Sequence, residues 1–196
     1  MALATILALS LCYVARCAAT QRQLASKLIR LHVVANSDSQ EDQRVKLEIR
    51  DAVLARVEEL TADCSDVQSA KACLSQNLPA LEAAAEEALQ RAGHGESVAV
   101  SLGRENFPTR YYDTFTLPAG PYTSLRVSIG EGSGHNWWCV VFPSLCVAAT
   151  CDEWEEAAEA GAFTDAESRF IAGGEEEYEL KFKTLEYLQK FWNWLT

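Results

Sequence analysis

Positive charge is in short supply in this 196-residue chain, where 17 Lys and Arg stand against 28 Asp and Glu for a formal charge of −11. No basic stripe offsets that balance, so nucleic acid is not an expected partner. Histidine is scarce too, with three in the chain, and no EF-hand spacing occurs among the carboxylates. No metal and no cofactor is therefore expected. The acidic runs DEWEEAAE (152–159) and EEEYE (175–179) read as solvated faces and helix N-terminal turns. Internal repeats are lacking, as is any flexible linker beyond about residue 28. With 48% apolar residues, the chain suits one ordinary globular domain.

Long hydrophobic runs are absent with one exception. ALATILALSLCYVA (2–15) is apolar and is followed by the small residues of RCAAT (16–20). It is short for a spanning helix, which needs about twenty apolar residues, but suits a signal-peptide core cleaved near Ala18 or Ala19. The usual basic flank is missing, so retention as an uncleaved anchor is the alternative. Leu11 and Arg16 precede Cys12 and Cys17 where a lipid-attachment site wants a small residue. The expected organisation is a leader over 1–19, a connector over 20–28 and one domain over 29–196. Export permits disulfides, and removal of the leader leaves Cys64, Cys73, Cys139, Cys146 and Cys151, an odd count.

IRLHVV (29–34) is rich in β-branched residues and is stopped by NSDSQEDQ (36–43). Ser39 with Asp42 three on is a capping-box-like pair, and the acids around it favour the positive end of a helix. Val45, Ile49, Ala52, Val53, Val57 and Leu60 then recur at helical spacing. A second helix is expected over about 66–76, and NLP (77–79) opens a third that Gly93 closes. From 97 the period changes. SVAVSL (97–102), YYDTFTL (111–117), YTSLRVSI (122–129) and NWWCVVF (136–142) read as strands, with PAGPY and the GEGSG glycines as tight connections between them. An acidic helical segment (152–160), a loop containing Gly173 and Gly174, an alternating strand YELKFK (178–183) and a helix TLEYLQKFWNWL complete the pattern. This gives an α+β domain with a mostly antiparallel sheet and helices packed against it.

GHNWWCVVFPSLC (134–146) concentrates the reactive residue types. A secreted Cys/His hydrolase acting on the cell wall would use Cys139 as nucleophile with His32 or His135 as base. Cys139, however, sits inside an apolar strand and not beside a cation or helix N-terminus, where thiolates form. GEGSG lies between strands, whereas phosphate loops open helices. No catalytic residue is assigned. A Cys139–Cys146 disulfide fits better, because a hairpin centred on Phe142–Pro143 would place the two opposite each other. Cys64 and Cys73 would be about 13 Å apart on one helix, out of bridging range unless Cys64 turns back. Cys151 is the expected free thiol.

IRLHVVANSDSQEDQRVKLEIRDAV (29–53), NLPALEAAAEEAL (77–89), FPTRYYDTFTLPAGPYTSLRVSIGEGSGHNWWCVVFPSLC (107–146) and YELKFKTLEYL (178–188) occur in an order that resembles the stage II sporulation protein R family. Gln40 and Ser144 stand where that pattern has proline. The resemblance implies a signalling protein, not an enzyme. It would be made in the forespore, exported into the space between forespore and mother-cell membranes, and trigger a membrane-embedded aspartic protease of the mother cell to process an inactive sigma factor. Membrane contact is expected only through the N-terminal segment or weakly. Candidate partner-facing residues are Arg30, His32, Asn36 and Asp38 around the NSDS turn, Trp137 and Trp138, and Trp194 in the final helix.

Overall fold

A computed structural model describes residues 2–112, 115–143 and 163–171, within two compact units. The first comprises Lys27–Glu105 and Tyr122–Ala148; the second comprises Met1–Ser26, Asn106–Pro121 and Ala149–Thr196.

The first unit begins with strand β1 (Ile29–Val34), followed by helix α2 (Gln40–Thr61). Ser39 caps that helix, its hydroxyl accepting from the Asp42 amide at 3.0 Å. The periodic positions Val45, Ile49, Val53 and Val57 are all buried. Helix α3 (Val67–Gln76) starts with a full capping box between Asp66 and Ser69. Helix α4 (Leu78–Arg91) ends in a Schellman motif. There the His94 amide donates to the Leu89 carbonyl and the Gly93 amide to that of Gln90, with Gly93 at φ +80°. Only glycine takes that conformation without steric cost. Strands β2 (Val98–Phe107), β5 (Gly120–Ile129) and β6 (Asn136–Phe142) complete the sheet, whose order is β2-β5-β1-β6.

This is an α+β fold with a mixed, mostly antiparallel sheet. β1 runs parallel to β5 and antiparallel to β6. The Gly130 amide bonds the Ser97 carbonyl while Ser124 meets Glu105, so β2 and β5 run in opposite directions. The three helices cover one face. Ile29, Leu31 and Val33 of β1, Leu125, Val127 and Ile129 of β5, and Cys139 and Val141 of β6 join Ile49, Leu74, Leu81 and Leu89 in a single core.

Two turns expected to close hairpins do not. β5 and β6 lie on either side of β1, so the GEGSG segment crosses the end of a third strand. PAGPY likewise joins strands of different sheets. YYDTFTL, expected as one strand, supplies a short pair, β3 (Arg110–Tyr111) and β4 (Thr116–Leu117), in a sheet of their own. A local turn signal says that the chain reverses, but not whether a distant strand has taken the neighbouring place in the sheet.

In the second unit, helix α1 (Ala2–Ser26) continues through residues expected to form a connector, with Leu24 and Ala25 buried. Helix α5 (Asp165–Ile171), in a stretch where the sequence reading places a loop, is capped by Thr164 and Glu167, whose side chains each receive the other's backbone amide. The expected helix 152–160, the YELKFK strand, the final helix, Cys146, Cys151 and Trp194 lie outside the described residues.

Candidate functional site

The crossover from β5 to β6 has a local consequence. The chain leaving β5 must pass over the C-terminal end of β1, the point where residues 35–39 depart toward α2. Two polar loops are forced together there, and their backbone groups satisfy each other. The Asn36 carbonyl accepts from the Ser133 amide and hydroxyl at 3.2 and 2.6 Å. The Ala35 carbonyl accepts from the Gly134 amide at 3.0 Å, and Asn36 Oδ1 from the Glu131 amide at 3.0 Å. Gly130 and Gly132 take φ of +54° and +60° to make the crossing. Gly134 is required for space instead, since a Cβ there would overlap the Ser37 carbonyl.

Side chains lock this clasp. Asp42 Oδ2 accepts from Ser37 Oγ at 2.5 Å and Asn36 Nδ2 at 3.1 Å, so Asp42 braces the loop and does not return the second bond of a capping box. Gln43 Nε2 donates to the Ser37 carbonyl at 2.9 Å. Lys46, almost fully buried, donates to Gln43 Oε1 at 2.6 Å and to the His135 carbonyl at 3.1 Å, and burial pushes its pKa down. On the exposed rim, Asp38 Oδ1 accepts from the His135 amide at 2.6 Å and pairs with His135 Nδ1 at 2.5 Å. Those bonds hold the Asp38 carboxyl below the usual carboxylate range. Asn36 and Asp38 thus belong to one structure, while His135, Lys46 and Ser133 join it from positions that the NSDS motif does not announce.

The sheet face opposite the helices carries a second polar cluster. His32 stacks on Trp138 with ring centroids 3.7 Å apart. Its Nδ1 lies 3.2 Å from Glu105 Oε2 and its Nε2 2.7 Å from Asn136 Oδ1. Glu105 also accepts from Ser124 Oγ at 2.5 Å and Arg126 Nη1 at 2.7 Å. Burial pushes the Glu105 carboxyl up, but the hydrogen bonds from Ser124, Arg126 and His32 outweigh it and hold its pKa down. Glu105, Ser124 and Arg126 escaped the sequence reading. The signal was the alternation S-L-R-V-S-I over 124–129, which puts polar residues on one face of β5.

The expected partner residues separate on this framework. Arg30 is fully buried, with its guanidinium 4.9 Å from the Tyr122 ring centroid, and His32 is 5% exposed. Trp137 points to the helical face, half-buried, with Arg50 over its ring at 4.3 Å, whereas Trp138 lies on the other face. Asp38 and His135 are exposed, at 56% and 80% of their side chains.

A Cys139 hydrolase does not assemble here. Cys139 is buried in the core face, opposite the face that carries His32, and His135 is engaged with Asp38. Cys139 is also disulfide-bonded, leaving no thiolate for attack. Cys64 and Cys73 are free thiols, and Cys73 donates to the Leu60 carbonyl at 2.9 Å. Asp42, His94 and Glu96 each bring a ligand-type atom within 4.8 Å of the others. His94 is engaged there by Glu41 and Glu96, whose hydrogen bonds raise its pKa.

Fold and site define an α+β domain built around a mixed four-stranded sheet, with two loops clasped over the end of its parallel strand pair. The chain belongs to the Stage II sporulation protein R (spore_II_R) family, whose model matches residues 25–152. It is similar to the Stage II sporulation protein R of Bacillus subtilis (strain 168), at 37% identity over 123 residues. That match takes in 63% of this chain and 55% of the relative, so the chain spans about half the length of the curated protein it matches. No solved structure matches the chain.

Proposed function

We propose that this chain is an exported sporulation signal that activates a membrane-embedded aspartic protease of the mother cell, which then processes an inactive sigma factor, pro-sigma-E. Its site of action is the space between forespore and mother-cell membranes. The observation that carries this reading is family membership across residues 25–152, a span that contains both clasped loops and the whole four-stranded sheet. The partner-facing part is the exposed rim of the clasp, Asp38 and His135. A rigid loop pair fixed by hydrogen bonds presents polar groups with little ordering cost on binding, which favours recognition. Arg30 and His32 are buried and do not form the contact surface.

Deletion of the gene tests the signalling reading, with accumulation of unprocessed sigma-factor precursor as the expected result. Normal processing in the deletion strain would overturn it. Complementation with His135→Asn then tests the rim. The expected outcome is lost processing with a thermal midpoint close to that of the parent, whereas full processing removes His135 from the contact.

A further inference from the structure

The second unit holds a groove of about 340 Å³ between α1 and α5, lined by Tyr13, Arg16, Cys17, Thr20, Ala166, Arg169 and Phe170. The α1 contributors follow i, i+3, i+4, i+7 spacing and those of α5 i, i+3, i+4, so each helix turns one face inward. Among the described residues, no carboxylate lines the groove. Both arginines are exposed and have no ion-pair partner among the described residues, in a chain with an excess of eleven negative charges. The nearby Glu167 is buried and accepts from the Thr164 amide and hydroxyl, and it does not line the groove. Burial first, and then the hydrogen bond with Cys17, push the Tyr13 phenol up, so that hydroxyl adds no charge.

We propose that this groove is a binding site for the phosphate of an anionic phospholipid headgroup, held by the guanidinium groups of Arg16 and Arg169. Guanidinium presents a planar fork of donors that matches phosphate oxygens, and two of them suit a phosphodiester better than a carboxylate. The lipid source is favoured by what adjoins the groove. Arg16 directly follows the apolar run 2–15 on the same helix. Fourteen helical residues extend about 21 Å, less than the roughly 30 Å of a bilayer's hydrocarbon core. Such a segment enters the bilayer without crossing it and leaves Arg16 at headgroup level, with Arg169 across the groove. An apolar segment combined with basic groups is the two-signal arrangement that makes membrane attachment stable.

The test is co-sedimentation of the full chain with phosphatidylcholine vesicles and with vesicles in which phosphatidylglycerol replaces part of the phosphatidylcholine. The parent is expected to prefer the anionic vesicles, and the Arg16→Gln/Arg169→Gln double variant to lose about thirtyfold in affinity for them at low salt. Arg91→Gln/Arg104→Gln removes the same charge from exposed positions in the other unit and is expected to retain the preference. Arg16→Lys/Arg169→Lys is expected to recover most of the binding, which separates lost charge from lost folding. Equal losses in the two Gln pairs, or equal binding of the parent to both vesicles, would overturn the proposal. So would arginine-dependent binding of inorganic phosphate, measured calorimetrically, without any preference for anionic vesicles, because the site would then take a free anion.

Discussion

Gly134 shows how tightly single residues are constrained in the clasp. An added Cβ would meet the Ser37 carbonyl and lie 3.0 Å from the Ala35 Cβ, and both loops are already fixed to each other. Gly134→Ala should therefore cost about 1–3 kcal/mol in urea denaturation, the usual range for overpacking. An unchanged midpoint would mean that the loops are not interlocked. His94 illustrates the electrostatic side. Its amide is placed by the Schellman motif, and its ring lies between Glu41 at 3.4 Å and Glu96 at 3.3 Å. Glu41, bound by Arg44 and then His94, is pulled down to about 2. Because the folded His94 pKa is raised, protonation favours the native state. Its contribution is complete below the unfolded value near pH 6.5 and is lost as pH rises through the higher folded value. A His94→Gln variant should flatten thermal stability across that window, as read by calorimetry at a series of pH values.

Among the elements, α2 carries both the core and the clasp. Its buried stripe Val45, Ile49, Val53 and Val57 packs in the core, while its first two turns supply Asp42, Gln43 and Lys46 to the loops. The two roles have different magnitudes. Ile49→Ala removes a fully buried side chain and should cost about 2–5 kcal/mol. Ser39→Ala removes one capping bond and should cost about 1 kcal/mol. Chemical denaturation of the pair checks the contrast, and equal losses would indicate that the helix is held by its cap more than by its core. The β-strands divide their work between faces in the same way. Leu125, Val127 and Ile129 enter the core, and Ser124 and Arg126 meet Glu105 on the reverse.

At the scale of the whole molecule, the proposed export would permit covalent stapling. Cys139 is disulfide-bonded, and Cys146 is the partner that the sequence leads one to expect. Non-reducing peptide mapping of the exported protein should recover one linked peptide containing both residues. Recovery of Cys139 joined to Cys151 would replace the pairing. A loop this short should contribute about 2–3 kcal/mol through restriction of the unfolded chain. Cys64 and Cys73 should be alkylated without prior reduction, since both thiols are free.

The sequence by itself determined the local elements. IRLHVV and NWWCVVF coincide with β1 and β6, and the 3.6-residue period of α2, the Asp66 and Ser39 caps and the Gly93 stop all lie where local chemistry puts them. Caps, periods and turn residues act within a few positions, so they are legible without the fold. The site was half legible by the same rule. Asn36 and Asp38 stood out as a polar stop after a strand, but their partners Ser133 and His135 are 97 residues away. Only the tertiary structure decided that β1 inserts between β5 and β6, which turned the expected GEGSG hairpin into a crossover. That one pairing placed His32 and Cys139 on opposite faces, buried Arg30 and brought the glycine loop over the NSDS turn. Strand order depends on which distant surfaces bury the most apolar area together, and no local pattern records that choice.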